Sequence, residues 1–256
     1  MDVFTTSIEN VDKIFSSNVK NYKIELTKES CISSLASQKL FRFGDQSVSR
    51  LVLKSDSAIE LGGPTTTSVS MLLAEYSSKA SNINEIIING NLNLENIEDA
   101  TIAFGQVVII NGSLITNRDV IKANEIIRSG IYFDGLMLKS QNEIIWYRIS
   151  KSLLKLGFSI KTLAQGVIFS LLSEIPTIES VKIYFTSDKD NDIRKLSEEL
   201  SEVKKITKSI KESVWLEKGI NIQDGSITHC GSCSDKSTCT NIRKATNKLK
   251  GGCSGK

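Results

Sequence analysis

Proline and histidine are nearly absent from this chain: 256 residues hold two prolines and one histidine. With so few prolines and no Ser/Gly-rich linker, the sequence reads as a compact body and not as domains on tethers. A lone histidine, His229, excludes any Ser–His or Cys–His pairing in the rest of the chain, so catalysis by side chains alone is not expected. Long apolar runs are also missing. Nothing approaches the roughly 20 apolar residues of a membrane helix. The first residues, MDVFTTSIENVDKIF, carry Asp2 and Glu9 and no unbroken apolar stretch. Neither a secretory signal nor a membrane partner is expected, and the predicted location is the cytoplasm. Aromatic residues make up 6% of the chain, and none lies in residues 228–256, where lysines and arginines outnumber acids. Without a ring to stack on a base, that basic stretch is not expected to bind nucleic acid and reads as lysines solvating a short segment.

A hydrophobic content of 40% with 24% charged residues suits a globular body with a sizeable core. β-Branched runs predict strands at 49–55, 84–90, 106–112, 143–150 and 180–187, several of them ended by Asn-Gly or polar residues. Helices are predicted at 117–130, which opens on Asn/Asp and closes on Gly, at 150–157, and at 161–175, which Pro176 stops. Strands and helices do not alternate strictly. The expected class is therefore mixed α/β (α+β), a mixed sheet with packed helices and not a doubly wound parallel one. From 192 to 214, Ile193, Leu196, Leu200, Val203, Ile206, Ile210 and Val214 fall on one face of a long amphipathic helix. That stripe is expected to pack on the body, with contact to a partner chain as the alternative. The expected organisation is a body over 1–190, a connecting helix over 191–215 and a cysteine-rich metal-binding tail over 216–256.

Four of the five cysteines crowd into that tail, spaced Cys230-x2-Cys233-x5-Cys239-x13-Cys253. A Cys-x-x-Cys pair aims two thiolates at one site from a single turn, and two more on a Gly-rich chain complete a four-thiolate set. In a reducing compartment such a cluster points to metal before disulfide. Zinc, an iron–sulfur cluster and a Cys230/Cys233 redox couple all suit this spacing. His229 is a flanking residue, and Cys31, alone in sequence, reads as a small apolar one.

The stretch FDGLMLKSQNEIIWYRISKSLLKLGFSIKTLAQGVIFSLLSEIPTIESVKIYFTSD and the upstream AIELGGPTTTSVSMLLAE resemble the central domain of acetyl-CoA synthase, the β subunit of acetyl-CoA decarbonylase/synthase and carbon monoxide dehydrogenase complexes. The resemblance extends over roughly residues 40–240, and its most specific pieces are ELGGP, WYRISK and their order ahead of a cysteine cluster. It implies that Cys230, Cys233, Cys239 and Cys253 hold a 4Fe–4S cluster, with Cys233 matching the thiolate that bridges to nickel. The x5 and x13 spacings depart from the family, and no Cys-x-Cys for an outer nickel is present. Nor is the helical domain that precedes this region in bacterial members. A truncated relative is therefore expected, acting as an accessory or electron-transfer component of a larger anaerobic one-carbon metalloenzyme complex. The alternatives are a zinc-stabilised interaction module and a minimal acetyl-CoA synthase whose nickel ligands come from a partner chain. The resemblance also implies coenzyme A binding at Trp146 and Arg148, since an indole can stack on adenine and a guanidinium can fork onto phosphate. Against this, Trp146 lies in a β-like run and reads equally as core, and Asn142 stands where similar proteins tend to carry an arginine. ELGGPTTTS could cradle a phosphate on its backbone amides, but it lacks the lysine of a P-loop. A tight turn forced by Gly62, Gly63 and Pro64 is the favoured reading.

Overall fold

The Ile- and Val-rich runs become strands, and among the described residues they build a five-stranded and a four-stranded sheet, with a separate two-stranded pair near the end. The computed structural model describes residues 3–16, 22–37, 58–63, 67–76, 83–94, 101–129, 133, 135–141, 144–217, 222–223 and 226–227. In chain order the elements are α1 (Thr5–Ser16), β1 (Tyr22–Leu26), α2 (Lys28–Ser37), β2 (Ala58–Leu61), β3 (Ser68–Glu75), β4 (Asn84–Asn89), β5 (Thr101–Ile102), β6 (Phe104–Asn111), α3 (Asn117–Ser129), β7 (Leu136–Gln141), β8 (Ile144–Ser150), α4 (Lys151–Lys155), α5 (Ile160–Glu174), β9 (Ser180–Thr186), a π-helical turn (Lys189–Ile193), α6 (Arg194–Glu217), β10 (Ile222–Gln223) and β11 (Ser226–Ile227). Residues 1–208 and 209–256 form two compact units. The second contains the small antiparallel pair β10–β11. The strand predicted at 49–55 and the four tail cysteines lie outside the described residues.

The larger sheet has the order β1-β4-β9-β6-β3. β4 is parallel to β9 and β3 to β6, while β1–β4 and β6–β9 are antiparallel. The sheet is mixed, as the non-alternating element order predicts. Side chains alternate between its faces, and both faces are apolar. Val69, Met71, Leu73, Val107, Ile109 and Tyr184 are buried on one face, and Leu72, Val108, Ile110, Ile183, Phe185 and Ile86 on the other.

Two helices cover the first face. α1 sets the Phe15 ring 4.5 Å from that of Tyr184, and its Asp12 accepts from Lys182 Nζ at 2.9 Å and from the Tyr184 hydroxyl. α6 lies close over Gly105, where a Cβ would stand 2.7 Å from Thr186 Cγ2, 3.3 Å from Ile193 Cγ1 and 3.4 Å from Leu196 Cδ1. Only glycine permits that approach. Ser7 and Asn10 of α1 donate to the Glu199 carboxylate of α6 at 2.5 and 3.1 Å, so the covering helices are tied to each other.

The helical arm differs in its start from the stripe-based expectation. α6 begins at Arg194, after a π-helical turn that Asp188 caps by accepting from Asn191 N–H. Asp192, 1% exposed, accepts from Asn89 Nδ2 and, at 2.9 Å, from Thr186 Oγ1 at the ends of two parallel strands. The carboxylate thus faces the sheet instead of serving as a solvated first-turn acid. Of the apolar stripe, Ile193, Leu196 and Val203 are buried in the body.

On the opposite face, α5 packs with α2 and α3. Residues on every side of α5 are buried, and an all-round apolar helix belongs in an interior. Cys31 of α2 is 1% exposed and its Sγ donates to the Gln165 carbonyl at 3.3 Å, the environment of a small apolar residue. The smaller sheet, ordered β5-β2-β8-β7, packs on this same side. No helix among the described residues is long and apolar enough to cross a membrane.

Candidate functional site on the half-open sheet

The two motifs singled out in the sequence meet in the smaller sheet. β2, which carries Glu60 and Leu61, runs antiparallel to β8, with Glu60 opposite Arg148 and Leu61 opposite Tyr147. Gly62 follows with φ +75°, a conformation that costs side-chain-bearing residues roughly 1–2 kcal/mol. A Cβ there would lie 2.6 Å from Ser68 Oγ and 3.3 Å from Trp146 Cβ. Glycine at 62 is needed for the dihedral and for the close approach of β3 and β8; of the turn expected from Gly62, Gly63 and Pro64, Pro64 lies outside the described residues.

The two faces of this sheet differ. Ile59, Leu61, Tyr147 and Ile149 are fully buried on the face turned to the larger sheet. On the other face Thr101, Glu60, Arg148 and Met137 form one cross-strand row, exposed at Thr101 and half-buried at the others. Glu60 and Arg148 stand opposite each other, yet they form no ion pair among the described residues. Arg148 Nε is buried with no hydrogen-bond partner among those residues. A buried donor left unpaired costs about 1–3 kcal/mol, and with Nε covered, an incoming acceptor meets only the half-exposed remainder of the Arg148 side chain. Trp146 shares the face but is 6% exposed, which leaves no open indole surface for a stacked ring.

Two hydrogen bonds bolt β8 to the larger sheet. Ser68 Oγ, at the first position of β3, donates to the Ile145 carbonyl at 2.9 Å. The Tyr147 hydroxyl donates to Gln106 Oε1 of β6 at 2.8 Å, with Phe104 edge-on at 5.8 Å between ring centroids. Burial pushes the Tyr147 phenol well above its ordinary pKa, outweighing the lowering by the Gln106 bond. The polar bolts, Ser68 and Gln106, escaped sequence reasoning, because a serine and a glutamine inside apolar strands carry no periodic signature.

Elsewhere on the body the structure assembles less. Open grooves of about 490 and 470 Å³ flank α6, the first lined by Lys13, Lys195, Glu198 and Glu199, the second by Lys189, Asp190, Arg194 and Glu198. Their glutamates are already engaged: Arg194 holds Glu198 at 3.1 Å, and Ser7 and Asn10 hold Glu199. Among the described residues no group of three or more His, Cys, Asp or Glu could hold a metal ion. Cys31 is unsuited to ligation, since burial pushes its thiol up to about 12 and the thiolate is the ligand form. Cys230, Cys233, Cys239 and Cys253, the ligands expected from the sequence, lie outside the described residues.

A mixed α/β body with one sheet closed on both faces and a second half-open is the class of protein that these elements define. Residues 41–192 match the family of the CO dehydrogenase/acetyl-CoA synthase complex beta subunit, and the chain belongs to that family. It is 26% identical over 152 residues to the acetyl-CoA decarbonylase/synthase complex subunit beta of Archaeoglobus fulgidus, a stretch that makes up 59% of this chain and 29% of the relative. The chain thus spans under a third of the length of that relative. The match takes in ELGGP, WYRISK and Asp192, and ends before α6 and the cysteines, short of the residue-240 limit expected from the resemblance.

Proposed function

We propose that this chain is an iron–sulfur protein in which Cys230, Cys233, Cys239 and Cys253 hold one 4Fe–4S cluster beside a body of the acetyl-CoA synthase β-subunit type. It serves as an accessory or electron-transfer component of a multisubunit, anaerobic one-carbon metalloenzyme complex in the cytoplasm. The observation that carries this is the order of the chain: a body belonging to a complex-subunit family is followed by a four-thiolate set. The donor set fits the group, since four thiolates satisfy a 4Fe–4S cluster. With all four irons ligated by protein, no iron stays open to substrate, which favours electron transfer over substrate chemistry. The same donors also fit zinc, and elemental analysis separates the two. Anaerobically purified full-length protein is expected to be brown, with about four irons and four sulfides per chain. A colourless protein with a single zinc would falsify the cluster and leave a zinc-pinned interaction module.

A second role, coenzyme A binding, is favoured by one observation, the half-buried Arg148 in the cross-strand row of the smaller sheet, opposite Glu60 yet without an ion pair to it. A guanidinium so placed suits a phosphate oxygen. Trp146, nearly covered, contributes a wall and not a stacking platform in this role. Calorimetric titration of the full chain with coenzyme A, with Arg148→Gln as the control, checks it.

A further inference from the structure

The two bolts between the sheets fall at neighbouring places in β8. One holds the carbonyl of Ile145 and the other the phenol of Tyr147, so they bracket Trp146 and stop one residue short of Arg148. We propose that Ser68 and Tyr147 are positioning residues for the Arg148 site, a two-point clamp that fixes the strand from which the guanidinium projects. This rests on the anion-binding role proposed for Arg148 and deepens it.

The clamp reaches Arg148 through the strand. Successive side chains of a strand point to opposite faces, so Tyr147 is anchored on the closed side while Trp146 and Arg148 project from the half-open one. Tyr147 is fully buried, and its ring is held edge-on by Phe104. Its hydroxyl donates to Oε1 of Gln106, whose Nε2 is itself buried without a partner among the described residues. Loss of the hydroxyl would strand the whole Gln106 amide in an apolar layer, and β8 would have to shift or admit water. Ser68 acts from the other side. Its hydroxyl occupies the space that a Cβ on Gly62 would fill, which ties the Glu-Leu-Gly-Gly strand end to the same point of β8.

The test is coenzyme A titration of the full chain, alongside thermal unfolding, for the wild type, Tyr147→Phe, Ser68→Ala and Arg148→Gln. Tyr147→Phe keeps the ring and its packing, and is expected to weaken binding about five- to tenfold, the scale of one buried hydrogen bond. Ser68→Ala is expected to weaken binding in the same direction. Unfolding temperature is the control for a structural role, because a residue that merely supports the fold lowers it with affinity unchanged in the folded protein. Binding lost in Arg148→Gln but unaltered in both Tyr147→Phe and Ser68→Ala overturns the clamp alone. Absence of binding in the folded wild type overturns the coenzyme A role and the clamp with it.

Discussion

The body and the cysteine-bearing end differ in what their sequences offer for building a fold. Between Phe4 and Val203 the chain buries aromatic and branched side chains on both faces of a five-stranded sheet. Residues 228–256 offer only Ile242 and Leu249 as large apolar side chains, against four cysteines. So little apolar area cannot offset the entropy of ordering a segment, which the proposed metal ligation would do instead. The body should therefore be indifferent to metal, and the end dependent on it.

The most drastic way to break this contrast is to remove the thiolates. Serine at positions 230, 233, 239 and 253 together is expected to abolish bound metal while leaving the urea midpoint of the body unchanged. A chain ending at Ser213 should likewise unfold cooperatively and carry none. A fall in the body's midpoint on metal loss would show that the two regions share one fold.

A second contrast lies within the body, between the family-matched segment and the flanks that cover it. α1 and α6 both fall outside residues 41–192, yet they close one apolar face of the larger sheet. Phe15→Ala removes a ring that is 2% exposed against Tyr184, and should cost roughly 3–5 kcal/mol in denaturant unfolding. Little change would mean that the matched segment stands without its flank. Asp192→Ala, at the end of that segment, leaves Asn89 and Thr186 without their acceptor, for an expected loss of roughly 2–3 kcal/mol.

Smaller effects sharpen the picture. Gly62→Ala meets both a positive φ and Ser68 Oγ, and should cost about 1–2 kcal/mol from the dihedral alone. Its unfolding midpoint compared with that of Ser68→Ala shows how much the contact adds. Alkaline pH gives the mildest change. Burial raises the Cys31 thiol from an ordinary 9.0 to about 12. The unfolded chain therefore loses this proton first, and stability is full below about 9 and falls towards 12. Stability curves measured at rising pH should descend less steeply over that window in Cys31→Ala, and an unchanged slope would contradict the shift.

What could be read from the sequence followed from how each element obtains its order. β4, β6, β8 and β9 announce themselves by β-branched runs, and α3 and α5 by their caps and periodic apolar residues. β3, Ser-Val-Ser-Met-Leu-Leu-Ala-Glu, mixes helix formers with serines, and only its place beside β6 makes it a strand. α1 and α2 are rich in Ser, Thr and Asn, weak helix formers whose helicity comes from packing. At the site, ELGG and WYRIS were each visible as motifs, but their register was not. Pairing between distant segments depends on the whole sheet, and the unpaired Arg148 Nε appears only once burial is known. The π-helical turn escaped for a related reason, since nothing local in Lys189–Ile193 marks Asp192 as buried until Asn89 and Thr186 are beside it.

The cluster itself is tested most directly by low-temperature electron paramagnetic resonance of the anaerobically purified full chain, before and after reduction. A four-thiolate 4Fe–4S cluster predicts a silent oxidised protein and a fast-relaxing, spin-one-half signal on one-electron reduction, lost in the four-serine variant. A protein silent in both states, with zinc in place of iron, would contradict the account.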